Sequence, residues 1–524
     1  MRNRRRILCI FPRYAHSFGT FDHAYKIVKV KAFMPPQGML VIAAYLPQEW
    51  YIRFIDENIR QAADADYRWA EAVFISGMHV QQQYIRRIAD KAHHHGRITV
   101  LGGPSVSGCP EWYPEVDILH VGELGDATDR LIERLDADVD RPAEQELYQT
   151  VERVPLDTFP IPAYWHITAA DYFMGSIQFS SGCPYLCEFC DIPELYGRKP
   201  RLKTPEQIIA ELDAILARGS PGAIYFVDDN FIANQKAVIG LLNALVQWQQ
   251  ARGYPVEFAC EATLNLARNS EALALMREAA FRTLFCGIET PDENALNFMN
   301  KRQNLRQPIL DAVKTFNSYG IEVVSGIIIG LDTDTERAAD SILAFIEQSG
   351  IPLLTINLLH ALPKTPLWRR LEAEGRLLEE GRRESNVRFL LPSDTVVDMW
   401  LRCITEAYRP EAVYARFARQ LTDTFPNRKD IDAAKGRMTA TNFRRGIGLL
   451  LRVIWYEGVV ADHRKVFWQL AWPLLKSLKI EEVIHVGLVA HHLISYAREC
   501  AAGRGEKSFY SSAMARSESG LSAG

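Results

Sequence analysis

The chain has 524 residues, of which 48% are hydrophobic and 24% charged, and its formal net charge is −4 at pH 7. This composition is typical of a folded protein with about two to four domains. The slight negative charge argues against nucleic acid as the main partner, because that would require a basic surface. No run reaches the ~18 uncharged apolar residues of a membrane span. The nine cysteines lack the regular spacing of a disulfide framework, so we expect a cytoplasmic protein.

Residues 6–136 alternate short apolar strands, such as ILCIF and AVFISGM, with helical segments such as QQYIRRIADKAHHHG. This alternation predicts an α/β domain over residues 1–136, with a doubly wound, Rossmann-like parallel sheet. Ligands of such sheets lie beyond the carboxyl ends of the strands. We therefore expect a ligand at the residues that follow the third, fourth and fifth strands, with tight turns alone as the alternative; these residues are Ser76, Gly102, Gly103, Gly122 and Glu123.

A connector with Pro155, Pro160 and Pro162 is predicted over residues 137–171, because proline favours extended backbone. Residues 172–365 then repeat a strand-helix unit six times, from SIQFSSG to LLTINLLHAL. In parallel arrangements of this kind, reactive groups gather at the carboxyl ends of the strands. Polar residues follow nearly every one of these six strands, which predicts a second ligand-binding edge.

Three cysteines follow the first strand of this second region, in the run SSGCPYLCEFCDIP. Cys183, Cys187 and Cys190 have the spacing Cys-x3-Cys-x2-Cys, which suits three irons of a [4Fe-4S] cluster and leaves the fourth iron open to another ligand. Zinc and buried structural thiols are the alternatives. Zinc sites usually show paired Cys-x2-Cys or Cys/His spacing, and the other six cysteines are scattered singly.

The cysteine run resembles the signature of the radical S-adenosylmethionine (radical SAM) superfamily, including Phe189 before the last cysteine. A parallel sheet ahead of it resembles the cobalamin-binding domain of the cobalamin-dependent radical SAM family. The resemblance implies a partial (β/α)6 TIM-type barrel over residues 172–365. It also implies three cofactors, which are the [4Fe-4S] cluster, S-adenosylmethionine and cobalamin. Cys183, Cys187 and Cys190 would be both metal ligands and catalytic residues. In the cobalamin mutases and methionine synthase, the histidine of an Asp-x-His-x-x-Gly motif binds cobalt from below. That motif is absent here, so no lower ligand of cobalt is assigned.

The resemblance also implies contacts with S-adenosylmethionine at the ends of later strands. Asp228 and Asp229 match the position that meets the methionine ammonium, although a helix cap is the alternative for one of them. Glu289 matches a position near the adenosyl ribose, and Glu261 ends the strand before it. A surface salt bridge is the alternative for each glutamate. Gly330 belongs to an apolar strand that resembles the one packed along the adenine.

Residues 366–503 change to helices without strands, and their apolar stretches are interrupted by charges. Such a pattern predicts an amphipathic helical C-terminal domain. Trp455, Trp468 and Trp472, with flanking Arg and Lys, suit a membrane interface or a lipid-shaped substrate, and a helical cap on the barrel is the alternative. The small, polar tail over residues 504–524 is predicted to be disordered.

Over nearly its whole length the chain resembles the branch that contains the hopanoid C-2 methylases. That resemblance implies methyl transfer from S-adenosylmethionine, through methylcobalamin, to an unactivated carbon of a hopanoid lipid. Cyclisation or rearrangement of another substrate, such as a tetrapyrrole, and a non-catalytic cobalamin or metal sensor are the alternatives. The implied partners are an apolar small-molecule substrate and an electron donor such as ferredoxin or flavodoxin. Peripheral contact with the inner membrane is also expected.

Overall fold

The structure, a computed structural model, describes residues 3–378, 385–431 and 440–504, without the side chains of 440–443. The predicted disordered tail lies outside the described residues from position 505 onward. Fourteen strands are found in these ranges, in two six-stranded sheets and one short hairpin. Both large sheets are parallel throughout.

The first sheet has the strand order β2-β1-β3-β4-β5-β6. Alternate residues of β1 point to opposite faces: Ile7 and Cys9 join one buried core, and Leu8 and Ile10 join the other. Both faces are therefore covered by helices, as expected for a doubly wound sheet. The predicted connector also supplies the sixth strand. The strands are β1 (Arg6–Phe11), β2 (Tyr51–Asp56), β3 (Ala72–Ser76), β4 (Ile98–Gly102), β5 (Ile118–Val121) and β6 (Glu146–Gln149).

The second sheet forms a partial barrel with the strand order β14-β13-β12-β11-β10-β7. Its order follows the sequence, as in a run of strand-helix units that curls in one direction. A two-stranded hairpin, β8 with β9, brackets the cysteine run. The strands are β7 (Gly175–Ile177), β8 (Ser180–Ser181), β9 (Arg201–Leu202), β10 (Ala223–Phe226), β11 (Glu257–Glu261), β12 (Phe281–Glu289), β13 (Glu322–Ile329) and β14 (Leu353–Leu358).

Helices cover both sheets and make up the C-terminal region. Those up to the end of the barrel are α1 (Asp22–Val28), α2 (Gln37–Tyr45), α3 (Asp64–Trp69), α4 (Gln82–His94), α5 (Pro104–Gly108), α6 (Asp126–Ala137), α7 (Ile192–Leu195), α8 (Pro205–Leu216), α9 (Gln235–Arg252), α10 (Ser270–Glu278), α11 (Glu293–Phe298), α12 (Ile309–Ser318) and α13 (Ala338–Ser349). The C-terminal ones are α14 (Pro366–Ala373), α15 (Ser393–Ala407), α16 (Pro410–Asp423), α17 (Ala440–Val453), α18 (Arg464–Lys476) and α19 (Ile480–Ala501).

The C-terminal helices share one continuous hydrophobic core with the barrel. Trp400 of α15 is buried, and its indole N–H donates to the carbonyl of Ile356 in β14 at 2.9 Å. Within the described ranges, no helix combines the length and the apolar character that a membrane span requires. The predicted helical cap is therefore present as part of the barrel's own core.

A buried carboxylate organises the contacts among these helices. A π-helix over Ile454–Val460 joins α17 to the segment before α18, and its Glu457 is fully buried. Glu457 accepts hydrogen bonds from Tyr414 at 2.5 Å, His463 at 2.9 Å and His491 at 2.8 Å. Burial alone would raise the pKa of Glu457, but the hydrogen bonds from His463, His491 and Tyr414 lower it to about 2. Burial alone would likewise lower the pKa of His463, but its hydrogen bond to Glu457 raises it.

We expect Glu457→Gln to lower the free energy of unfolding by roughly 1.5–3 kcal/mol near pH 6 and by less at pH 9. The Glu457 contribution is present above its ordinary pKa of 4.5 and lost as the pH falls toward 2. The His463 contribution is complete below its ordinary pKa of 6.5 and lost as the pH rises through the raised value. Denaturant unfolding at both pH values measures the difference. Asp462→Asn is the control, because Asp462 also contacts His463 but is 70% exposed. If Glu457→Gln lowered the free energy of unfolding equally at both pH values, a stabilising ion pair between Glu457 and His463 would be contradicted.

Candidate active site between the two parallel sheets

The carboxyl edges of both sheets face one cavity of about 2030 Å³. The first sheet contributes all five of its predicted ligand-binding residues to the cavity wall, from Ser76 to Glu123. The barrel contributes Glu261 and Glu289 at strand ends, together with Gly326 of β13. Because parallel strands end at the same edge, two facing sheets can present two sets of polar groups to one space. The arrangement brings together residues that lie far apart in the sequence.

The cysteine loop forms one side of this space through Phe189, which borders the cavity. Cys187 is buried, and Cys183 and Cys190 are partly exposed. Burial raises the pKa of Cys183 and of Cys190. Three thiols on one short loop fit the donor set of a [4Fe-4S] cluster. In the described ranges, no three His, Cys, Asp or Glu side chains converge on a single-ion metal site.

Two acids after β10 hold the backbone that leads into the cysteine loop. Asp228 is buried and accepts from the backbone N–H groups of Phe179 and Ser180 and from the Ser180 hydroxyl. Asp229 accepts from the backbone N–H of Gly182 at 2.7 Å. Among the described residues that border the cavity, neither acid is found. Their contact with the methionine ammonium stays a prediction, while their role in placing the loop is visible.

Three carboxyl groups at this edge have raised pKa values. Burial raises the pKa of Asp228 to about 6 and those of Asp229 and Glu261 to about 7. Tyr225 donates a hydrogen bond to Glu261 at 3.1 Å, which opposes the shift of Glu261. Charges from Asp228 and Asp229 raise the pKa of Glu261 further. A cationic ligand beside these groups would stabilise their ionised forms, and an ammonium or sulfonium group is suitable.

Glu289 ends β12 in a left-handed conformation, with φ of 68°. Such a conformation is strained for a residue with a side chain. An ion pair with Lys301, at 2.5 Å, holds the carboxylate. Burial alone would lower the pKa of Lys301, but the charge of Glu289 raises it, so the lysine stays charged. The register shift between Gly287 and Glu289 turns this strand end toward the cavity.

The segment 299–304 supports the cysteine loop, although no motif in the sequence predicts a role for it. The carbonyl of Met299 accepts from the N–H of Glu188 at 2.9 Å, and the Asn300 amide donates to the carbonyl of Leu186 at 2.8 Å. Asn304 in turn donates to the carbonyl of Gly287 at 2.9 Å. The only sign of this segment in the sequence is the polar run MNKRQN, which begins ten residues after Glu289. By itself such a run resembles an exposed loop.

Two side chains of this segment reach the cysteine loop directly. The Gln303 amide donates to the sulfur of Cys187 at 3.2 Å, and Gln303 is only 3% exposed. The Lys301 ammonium lies 5.2 Å from the centre of the Phe189 ring. A hydrogen bond to a cysteine sulfur and a nearby cation both stabilise negative charge on that sulfur.

Glu123 joins the first sheet to the hairpin of β8 and β9, and it also borders the cavity. It pairs with Arg201 of β9 at 2.5 Å and with Arg153 at 3.0 Å, and it accepts from the Ser181 hydroxyl at 3.2 Å. These partners stand beside the cysteine run. The predicted cofactor residue thus has a defined structural role between the domains, and its contact with cobalamin stays a prediction.

The glycines on the first sheet leave bare backbone at the cavity. Gly103 has φ of +94°, and an added Cβ would lie 2.6 Å from the Ser76 hydroxyl. An added Cβ at Gly102 would meet no protein atom within 4 Å, so the space above it belongs to the cavity. A bulky ring can approach such a backbone closely. The residues present therefore fit a large planar cofactor at this edge.

Gly330 lies away from this space. An added Cβ there would lie 2.5 Å from the Phe389 ring and 3.1 Å from Val396, and its N–H donates to Asp334 at 2.8 Å. Gly330 therefore forms a tight turn under the C-terminal region. Gly326, four residues earlier on β13, borders the cavity instead. A cofactor contact at Gly330 stays a prediction.

Three family profiles match consecutive parts of the chain. A B12 binding domain matches residues 26–132, the radical SAM superfamily matches residues 177–346, and a domain of unknown function matches residues 365–506. The first two correspond to the two sheets that face the cavity. The third corresponds to the C-terminal helices.

Two relatives are similar over nearly the whole chain. The hopanoid C-2 methylase of Rhodopseudomonas palustris is 56% identical over 97% of this chain and 96% of the relative. An uncharacterized methyltransferase of a Synechocystis species is 34% identical over 94% of this chain and 92% of the relative.

Two solved structures share the fold. The cobalamin-dependent S-adenosylmethionine radical enzyme OxsB, with aqua-cobalamin and S-adenosylmethionine bound, aligns with 96% of this chain and 80% of its own, with a TM-score of 0.60 and 14% identity. The radical S-adenosylmethionine methyltransferase TsrM from Kitasatospora setae, with cobalamin and a [4Fe-4S] cluster bound, covers 79% of this chain and 96% of its own, with a TM-score of 0.57 and 13% identity. At this identity the likeness concerns the fold.

We expect Gln303→Leu to lower the reduction potential of a cluster reconstituted on the three cysteines. Loss of the N–H donor to Cys187 removes a contact that stabilises the more negatively charged, reduced state. Redox titration followed by electron paramagnetic resonance measures the potential without any turnover. Gln249→Leu is the matched control, because Gln249 is also buried but donates to the carbonyls of Val256 and Ala279. An unchanged potential in Gln303→Leu would contradict the assignment.

Proposed function

Since this chain belongs to the cobalamin-dependent radical SAM methyltransferases, the family of the hopanoid C-2 methylase, we propose that it methylates a hopanoid lipid at C-2. Its cofactors are a [4Fe-4S] cluster, S-adenosylmethionine and cobalamin. Family membership favours methyl transfer over the cyclisation and sensor alternatives.

One observation carries the assignment to a large apolar substrate. A single cavity connects the glycine edge of the first sheet, the cysteine loop and the C-terminal helices. The stretch between Glu289 and the C-terminal helices is lined by apolar side chains such as Val324, Ile356, Leu488 and Val489. A hydrocarbon ring system buried there would be stabilised by roughly 25 cal/mol for each Å² removed from water.

Each set of residues would contact a different cofactor, according to its position in the cavity. Cys183, Cys187 and Cys190 hold the cluster, and Glu261 and Glu289 face the space where a nucleoside would lie. Gly102 and Gly103 give cobalamin access to the backbone of the first sheet. When bound, S-adenosylmethionine beside the cluster would supply the radical that removes hydrogen, and cobalamin would supply the methyl group that replaces it. The apolar wall aligns the substrate carbon and excludes water.

The reaction also requires a reductant, for which we propose ferredoxin or flavodoxin. Leu186, between the first two cysteines, is 40% exposed, so the cluster loop reaches the surface. Arg198 and Lys199 nearby are exposed and would attract an acidic donor protein.

We further propose that the enzyme meets its lipid at the cytoplasmic face of the inner membrane, as a peripheral protein. A substrate with a hydrocarbon body resides in the bilayer, and the enzyme must reach it there. All nine cysteines are free thiols, which suits a reducing compartment.

We expect the reconstituted, cobalamin-loaded protein to transfer a deuterated methyl group from labelled S-adenosylmethionine to C-2 of a hopanoid, with release of 5'-deoxyadenosine. Mass spectrometry of the product and chromatography of the nucleoside measure the two outputs. Cys187→Ala should reduce both to background, because one of the three cluster thiols is lost. Formation of 5'-deoxyadenosine without label in the hopanoid would contradict the substrate assignment.

Cys403→Ala is the matched control for Cys187→Ala. Cys403 is also a buried free thiol, but it lies on α15. We expect this variant to retain both outputs. Equal loss in the two variants would indicate damage to the fold and not to the cluster.

A further inference from the structure

Large apolar side chains are exposed on α17, on the π-helix that follows it and on α18. Leu451, Trp455 and Val459 are 60%, 58% and 50% exposed. They are spaced four residues apart, so they share one helical face. Trp472 of α18 is 55% exposed, and Leu478 in the turn after α18 is 81% exposed. We call these five residues the apolar face.

The apolar face is held as one unit by contacts between the helices that carry it. The Trp468 indole donates to the carbonyl of Gly458 at 2.9 Å, and its ring packs 6.4 Å from Trp472. Trp468 therefore joins the π-helix to α18. The side chains of Trp455 and Trp472 are more than half exposed and therefore point outward.

The charge around the apolar face differs in sign from that of the whole chain. Between residues 444 and 482 seven side chains are Lys or Arg and four are Asp or Glu, whereas the chain carries −4. Six of the seven Lys and Arg side chains are exposed, among them Arg444, Arg445, Lys476 and Lys479. The Lys476 ammonium lies 5.2 Å from the centre of the Trp472 ring. Tryptophan with flanking cations is typical of surfaces that bind the headgroup region of anionic bilayers.

The apolar face is continuous with the cavity. Leu478 and Lys479 border the cavity, as do Arg445 and Leu449 on α17. Leu478 is thus exposed to solvent and part of the cavity wall at the same time. From this point the wall continues along α19 toward the barrel strands, through the apolar Ile480, Ile484 and Leu488 and the polar Glu481, Glu482 and His485. The gap between α17 and the α18–α19 turn is therefore an opening that has an apolar strip and charged groups at its edge.

We propose that this opening is the port through which the lipid substrate enters, and that the apolar face docks it on an anionic phospholipid surface. The inference rests on the proposed function for the identity of the lipid, but not for the docking itself. Leu451, Trp455 and Leu478 enter the acyl-headgroup boundary, and Arg444, Arg445, Lys476 and Lys479 contact lipid phosphates. The substrate then passes from the bilayer to the cavity along the apolar side chains of Ile480, Ile484 and Leu488.

The test is flotation of the holoenzyme with vesicles of phosphatidylcholine alone or mixed with phosphatidylglycerol. The wild-type protein is expected to bind the mixed vesicles and to release at high salt, because the Debye length shortens. Trp455→Glu/Leu478→Glu is expected to weaken binding about tenfold or more, since two inserted groups become charged. Lys476→Gln/Lys479→Gln, which keeps the apolar residues, is expected to lose the preference for phosphatidylglycerol.

The matched control is Val151→Glu/Trp165→Glu. Trp165 is 56% exposed and Val151 is 81% exposed, close to Trp455 and Leu478, and both lie before the barrel. This control is expected to bind vesicles like the wild-type protein. Binding by Trp455→Glu/Leu478→Glu at the wild-type level would overturn the proposal. So would a wild-type protein that ignores vesicles but forms dimers through the same face.

Measurements of methyl transfer distinguish a failure of the proposed port from a failure of the proposed reaction. With substrate dispersed in detergent, Trp455→Glu/Trp472→Glu, whose two residues are exposed and stand outside the cavity lining, is expected to retain methyl transfer, and with substrate in vesicles it is expected to lose it. Equal activity of this variant in both conditions would overturn the port. Vesicle binding by the wild-type protein without any methylated hopanoid would leave the docking surface in place and would overturn the substrate assignment alone.

Discussion

The ion pair between Glu123 and Arg201 connects the two halves of the site. Glu123 follows the fifth strand of the first sheet, and Arg201 lies on the hairpin that brackets the cysteine loop. Arg153 adds a second cation from the connector. The carboxyl edges of the two sheets face one cavity only if the sheets keep a fixed distance and orientation. The Glu123–Arg201 pair lies between the first sheet and the cysteine loop. Cobalt chemistry on one sheet and radical chemistry on the other require such a fixed relation.

The cysteine loop is held from three directions by different kinds of interaction. Asp228 and Asp229 bind its entering backbone, and the Met299–Asn304 segment binds its middle. Arg370 of α14 pairs with Glu188 at 2.5 Å on the third side. The ionic partners come from elements that are distant in sequence, so the loop depends on the complete barrel. A loop held in this way has a backbone that is fixed by the rest of the fold.

Much of the architecture could be predicted from sequence because periodicity reflects burial. The strand-helix alternation predicted both parallel sheets, and the loss of strands after residue 365 predicted the helical region. The family resemblance, carried by the cysteine spacing and the order of the domains, predicted the cofactors. That Ser76, Gly103 and Glu261 border one cavity could be expected because strand ends share an edge.

Other features could not be predicted, since they depend on tertiary geometry. Lys301 and Gln303 reach the cysteine loop only because the chain folds back after Glu289, and a polar run carries no signal for that path. Gly330 has the expected sequence context, but the turn after β13 directs it toward Phe389. The sixth strand of the first sheet comes from the connector, where four residues, ELYQ, alternate too briefly to be distinguished from coil.

The cavity of about 2030 Å³ also has a thermodynamic consequence. Ligands that bind only the folded state add to its stability in proportion to the logarithm of their concentration over their dissociation constant. Three bound cofactors therefore link folding of this enzyme to cofactor supply. A cell short of cobalamin or iron would hold a less stable population of the same chain, which is more exposed to proteases. Protein abundance would then follow the availability of its cofactors without any dedicated regulator.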